Sequence, residues 1–366
     1  NAGEALGVAA KINMGGKDAT QHFASTVHIP TLVEMEKMLR GNDPLLNNPR
    51  SFNGLAAPKW EDAARMFPSD PAWRIDAGKV ERGRKLYRSF CFECHRGPVR
   101  DAEYGRLWPD ESFWSDKSIG RKDADWVQIG GRSYFNVVQK PVAEIGTDAQ
   151  QSKVLIERRV VIPPELALQP VKELNRKSGC RLPELDALNA SFGLALMAVV
   201  DRTIDKWFAV NPTADDLAKE MRGPRPNCPN PKTFTAMGKT GEQAAAAPVV
   251  PQYRARPLDG VWATAPYLHN GSVPTLHAML VPQNDRPKKL CVGSRQFDPM
   301  KVGLDAVEMN CATGLTTLDT AQLANSNRGH SFEGTEANIT KLPPGVIGRE
   351  LTPTERDDLI EYLKTL

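Results

Sequence analysis

Apolar residues recur at helical spacing in a few well-separated segments of the chain, joined by long intervals without such spacing. Asp76 through Phe90 predicts a helix with Val80, Gly83 and Tyr87 on one face, running directly into Cys91. Pro30 and Thr31 open a shorter helix through Met38, which Gly41 ends. Phe192 to Phe208 reads as a buried helix, and Thr213 as the N-cap of another that ends at Gly223. The last segment is the clearest. Thr352, Pro353 and Glu355 make a capping box with proline at the first helical position, and Leu359, Tyr362 and Leu363 form its apolar face.

The intervals predict loops. Trp108, Trp114, Trp126 and Tyr134 lie among turn residues within 97–170 and read as irregular structure packed over something apolar. Residues 241–251, Gly241 to Pro251, are low in complexity and read as a surface loop or linker. Residues 252–345 are rich in Gly, Pro and Asn, with few helical signals.

Length adds one constraint. At 366 residues the chain is long enough for one large or two ordinary domains. A net charge of +3 gives no reason to expect nucleic acid as a partner. Phe192 to Val200, the most apolar stretch, is too short for a bilayer and is followed by Asp201 and Arg202, so no membrane span is expected. The chain begins at Asn1, which gives the expectation of a processed or truncated form of an exported protein.

The chemistry concentrates at 91–95, Cys-Phe-Glu-Cys-His. Two thiols two residues apart can each form a thioether to a haem vinyl group, and the histidine that follows is then held beneath the iron. The bland alternative is a zinc or redox Cys-x-x-Cys with a chance histidine. The helix entering the motif and the aromatic-bearing helix closing the chain favour haem c, because in cytochromes c those two helices cross. One covalent haem is expected, through Cys91 and Cys94, with His95 as axial ligand.

The predicted architecture is mainly α: a cytochrome c-type haem domain with long irregular insertions and little β. Residues 1–75 form an N-terminal extension or connecting region. Residues 76–366 form the haem domain, with insertions at about 100–250 and a loop-rich distal region at 252–345. The four remaining cysteines, Cys180, Cys228, Cys291 and Cys311, suggest two disulfides in an oxidising compartment. Cys180–Cys228 with Cys291–Cys311 is the simplest of three connectivities; four free thiols are the alternative. Haem c attachment points to a periplasmic or secreted bacterial location.

The sixth iron position decides the chemistry. A strong ligand there makes an electron carrier, and an open position allows peroxide or oxygen chemistry. His22, His28, His269, His277 and His330 are candidates, as are the methionines. His330 stands out because it ends a turn-forming stretch, Asn325 to His330, shortly before the closing helix. Met300, in Phe297-Asp298-Pro299-Met300, is its main competitor, with core packing as its ordinary role.

Residues 254–276 contain Leu-Asp-Gly-Val-Trp-Ala-Thr-Ala-Pro-Tyr-Leu-His-Asn-Gly-Ser-Val-Pro-Thr-Leu. This resembles the Thr-Ala-Pro-Tyr-x-His-[Asn/Asp]-Gly segment of the bacterial di-haem cytochrome c peroxidase superfamily, and most of all its rubber-oxygenase branch. Phe297 to Pro299 with Val302-Gly303, and Asn325 to His330 with Phe332, agree with that branch. The resemblance spans roughly residue 76 to the C-terminus. It implies a bis-histidine haem with His330 as second ligand, and places Trp262, Tyr267 and His269 near the haem, with His269 ordering its loop rather than binding iron. Members of the superfamily carry two Cys-x-x-Cys-His motifs, and their catalytic haem belongs to the N-terminal half. This chain has one motif and resembles the C-terminal, electron-transferring half. Either an N-terminal haem domain is absent from the chain, or the chain is a single-haem relative.

Three functions follow from these expectations. The first is single-electron transfer to a redox partner protein. The second is catalysis as a peroxidase- or oxygenase-like oxidoreductase, with a second haem on another segment or subunit; Arg254 and Arg256 are then possible polar groups, although loop anchoring is their ordinary role. The third is a structural haem module. No catalytic residue is assigned, and a calcium ion or a second haem is compatible with such a site.

Overall fold

The computed structural model describes residues 2–42, 53–96, 126–129, 132–135, 137–179, 189–214, 217, 251–306, 311–335 and 341–366. The described helices include α1 (Ile29–Arg40), α2 (Ala77–Phe90), α3 (Phe92–His95), α4 (Gln150–Glu157), α5 (Pro170–Ser178), α6 (Phe192–Val210) and α7 (Pro353–Lys364).

Local chemistry sets their ends. The Asp76 side chain accepts from the Lys79 N–H and starts α2, while Thr352 and Glu355 make the reciprocal capping box of α7. Gly41 ends α1 with φ of 62°.

Helices α2 and α7 cross where Gly83 meets the backbone of Asp358 and the side chain of Tyr362. The Arg82 guanidinium donates two 2.7 Å bonds to the Asp358 carboxylate, and the Asp76 N–H donates to Glu361 Oε1 at 2.7 Å. The Tyr87 and Tyr362 rings pack 5.2 Å apart. Around this crossing lies the main core, which includes Trp60, Trp73, Tyr87, Trp262, Val273, Phe332 and Leu359. A smaller cluster joins Phe23, Ile162, Leu166 and Leu168 to Ala195 and Ala198 of α6.

The expectation of a mainly α chain with little β is not met. The loop-rich stretches fold back as six two-stranded sheets among the described residues. Antiparallel pairs join β1 (Trp126–Ile129) to β2 (Arg132–Phe135), β3 (Val138–Pro141) to β6 (Gln252–Ala255) and β4 (Arg159–Val161) to β5 (Asn189–Ser191). Others join β7 (Lys289–Val292) to β10 (Thr316–Asp319) and β8 (Phe297–Asp298) to β9 (Gly303–Leu304). The strands β11 (Ser331–Gly334) and β12 (Val346–Arg349) pair in parallel. Long connections that pack against a core must satisfy their backbone N–H and C=O groups, and these short ladders do so. Trp126 and Tyr134 thus lie in paired strands rather than irregular structure.

Cys291 and Cys311 form a disulfide that ties β7 to the segment entering β10. The expected Cys180–Cys228 pair, Trp108, Trp114, the helix end at Gly223 and most of the low-complexity stretch lie outside the described residues. Among the described residues, no helix is long and apolar enough to cross a membrane.

Candidate haem site

The backbone carries α2 straight into the cysteine motif. The Cys91 N–H donates to Tyr87 O at 2.8 Å, and the N–H groups of Cys94 and His95 both donate to Cys91 O, at 3.2 and 2.9 Å. The motif is therefore a further helical turn, with both thiols and the histidine on one short segment. Arg96 then turns the chain with φ of 63°, its carbonyl accepting the Tyr87 hydroxyl at 2.5 Å. Tyr87 links the helix crossing to the end of the motif in this way.

Neither Cys91 nor Cys94 is in a disulfide. Burial pushes the Cys91 thiol up to about 12, so it stays neutral. That disfavours a redox Cys-x-x-Cys, whose attacking thiol must be a thiolate. Among the described residues, no group of three or more His, Cys, Asp or Glu side chains is placed to hold a metal ion, so a tetrahedral zinc site has no donor set there.

His330 ends the loop before β11, on left-handed backbone at φ 55°. It faces His95 with ring centres 6.0 Å apart and planes at 69°. Two imidazoles on opposite sides of one metal, each nitrogen about 2 Å from it, have ring centres about 6 Å apart. The pair thus fits one iron between the rings. His95 Nδ1 lies 2.7 Å from Arg256 O, so Nδ1 carries the hydrogen and Nε2 is left with its lone pair free. Burial lowers the pKa of His95, and the bond to Arg256 offsets part of that effect. For His330, burial followed by the nearby His95 and Arg286 pushes the pKa down to about 3. Both rings are neutral near pH 7, the state in which imidazole binds metals.

The loop that carries His330 is held by side chains bonding to its carbonyls. The Asn270 amide donates to Ala324 O at 3.0 Å and to Ser326 O at 2.9 Å, and the Ser272 hydroxyl to Ser326 O at 3.0 Å. Arg286 donates to Asn327 O, Gly329 O and His330 O at 2.6, 2.8 and 2.9 Å. Gly329 must be glycine. Its φ is 86°, and a Cβ there would lie 2.3 Å from Ile145 O.

The other sequence-predicted residues fall as follows. Met300 is 60% exposed on the turn between β8 and β9. Tyr267 is buried, and its hydroxyl donates to Val302 O at 3.2 Å. Trp262 Nε1 donates to Pro58 O at 3.1 Å, and its ring packs edge-on against Trp60. His269 stacks on Tyr253 at 4.4 Å and borders a cleft lined by Lys153, Glu157 and Arg158; its neighbours Asn270 and Ser272 make the bonds to the His330 loop. His22 bonds to Gly16 O, His28 caps α1 and His277 lies in the short helix Leu276–Met279. Arg256, expected as a polar group or loop anchor, contributes its carbonyl rather than its guanidinium, which no side-chain pattern announces. Arg286 went unnoticed in the sequence, a lone arginine before a proline with no spacing signal.

Residues 252–290 match the family model described as RoxA-like, cytochrome c-like. That segment supplies Arg256, Asn270, Ser272 and Arg286, the residues that hold both histidines. The chain is 37% identical over 368 residues to the uncharacterized protein y4iJ of Sinorhizobium fredii (strain NBRC 101917 / NGR234), a match covering all of this chain and 50% of that protein. It is 42% identical over 130 residues to the uncharacterized protein y4iM of the same strain, covering 33% of this chain and 29% of that protein. The chain therefore spans at most half the length of these relatives. The match at 252–290 supports a RoxA-like haem cytochrome region there.

Proposed function

We propose that the chain carries single electrons through one haem, bonded covalently to Cys91 and Cys94 and ligated by His95 and His330. The observation that supports this reading is the facing of the two imidazoles at 6.0 Å. When bound, the haem supplies a one-electron iron couple, and two histidines favour a lower potential than a histidine–methionine pair. The chain's own part is to keep both rings neutral and in place, so that little rearrangement accompanies a change of charge. Met300, exposed to solvent, is left out of the ligand set. The electron is exchanged with a redox partner protein in the periplasm or outside the cell.

The test is the optical spectrum of the purified holoprotein in both oxidation states, with haem counted as the pyridine haemochrome. One low-spin haem per chain, without the sulfur-to-iron band of methionine ligation, is expected. A high-spin component that shifts on adding peroxide or cyanide contradicts it.

A second reading rests on a different observation, that y4iJ has as much sequence again as the part this chain matches. In that reading, the unit described here passes electrons to or from a catalytic haem on another segment or subunit, as part of a peroxidase- or oxygenase-like oxidoreductase. Peroxide consumption by the isolated chain is then absent and appears when that partner is supplied.

A further inference from the structure

Two facing histidines are held by different means. His95 is anchored through its ring, by the bond from Nδ1 to Arg256 O. The His330 Nδ1 is enclosed and has no hydrogen-bond partner on another residue among the described residues, so no bond like that to Arg256 aims the ring. What holds His330 is its backbone, and the backbone is held by Arg286.

The Arg286 side chain is almost completely enclosed, with the residue only 2% exposed. One terminal nitrogen bonds to Asn327 O and Gly329 O, and the other to His330 O and Met279 O, the last at 3.2 Å. All of these acceptors are carbonyls, and among the described residues no carboxylate forms a salt bridge with it. Glu333 is the opposing charge that acts on it, and Glu333 Oε2 is taken by the Gln283 N–H. Burial lowers the Arg286 pKa to about 10, so the group stays a cation at neutral pH. An enclosed cation with no salt-bridge partner among the described residues is costly to keep. A forked guanidinium is the one side chain that can span several carbonyls at fixed angles, and here three of them belong to His330 and the residues just before it.

We propose that Arg286 is the latch that keeps His330 opposite His95, and that the His330 side is consequently the replaceable side of the haem. Loosening Arg286 lets the bond between His330 and iron give way to one with a small neutral or anionic ligand, while His95 and the thioethers retain the haem. The inference rests on the His95/His330 ligation proposed above.

The experiment uses the holoprotein and Arg286→Gln, Arg286→Lys and Arg65→Gln, with carbon monoxide on the reduced form and cyanide on the oxidised form as probes. Arg65 is an exposed arginine paired with Asp62, so Arg65→Gln removes an arginine that makes no bond to the His330 loop. The native protein and Arg65→Gln are expected to be low-spin and unreactive. Arg286→Gln is expected to gain a high-spin component and bind carbon monoxide at least tenfold faster, with Arg286→Lys in between. If the Gln variant fails to assemble with haem, the Lys variant carries the test, and a native rate there overturns the proposal. So does a fully loaded Arg286→Gln that stays low-spin, or an Arg65→Gln that opens equally. A native protein that already binds carbon monoxide overturns both the latch and the ligation beneath it, whereas an unreactive native protein with an unreactive Gln variant overturns the latch alone.

Discussion

Gly83→Ala should destabilise the protein although alanine is the better helix former. A Cβ at position 83 would lie 1.9 Å from Asp358 O, 2.6 Å from the Asp358 carbonyl carbon and 2.8 Å from Tyr362 Cβ. Ordinary contact begins near 3.5 Å, so α7 must retreat by roughly 1.5 Å. Two of the three atoms are backbone, and no rotamer change relieves them. Alanine gains about 1 kcal/mol of helix propensity. Overpacking a tight contact costs about 1–3 kcal/mol, and weakening the Arg82–Asp358 and Asp76–Glu361 bonds that flank it costs about 1–3 kcal/mol more. The net expectation is a loss of about 3 kcal/mol. Urea unfolding of the holoprotein, followed by tryptophan fluorescence, measures it directly, because Trp60, Trp73 and Trp262 lie in the same core. A Gly83→Ala protein as stable as the parent, or more so, would refute the close crossing.

Other consequences follow from the same geometry. His330→Ala should turn a low-spin haem into one that binds cyanide, whereas His95→Ala should impair haem incorporation; an unchanged spectrum for His330→Ala refutes its ligand role. Replacing both Cys291 and Cys311 by serine opens a loop with a sequence separation of 20 and should cost about 3 kcal/mol in thermal or urea unfolding. Glu355, hydrogen-bonded by Arg349 and by the Thr352 backbone and hydroxyl, has its pKa lowered to about 2. A depressed carboxylate pKa stabilises the fold above the ordinary glutamate range, and that stabilisation disappears as the pH falls from about 4.5 toward 2. Glu355→Gln should therefore flatten the stability profile across that window, and a profile identical to the parent's contradicts the assignment.

Helix α7 was legible because its signals are local: the Thr352–Pro353–Glu355 box and an apolar face within one segment. Helix α2 was legible for the same reason, from Asp76 and the spacing of Val80, Gly83 and Tyr87, and Cys-x-x-Cys-His needs only five adjacent residues. The strands were not legible. Each has two to four residues, too few for alternation to register, and β3 finds its partner β6 more than 100 residues away. The means of holding the site was equally hidden, since Arg256 contributes a carbonyl and Arg286 acts on backbone rather than on a partner side chain. From its own surroundings His330 was visible only as the end of a turn-rich loop, and its ligand role came from the family resemblance; its approach to His95 depends on contacts from Asn270, Ser272 and Arg286, all distant in sequence.

The most direct test of electron carriage by a six-coordinate haem is a spectroelectrochemical titration of the holoprotein, repeated in the presence of peroxide. Electron carriage of this kind gives one reversible one-electron transition, low-spin at both ends and unaltered by peroxide. A high-spin species at either end, or consumption of peroxide by the isolated chain, would contradict it.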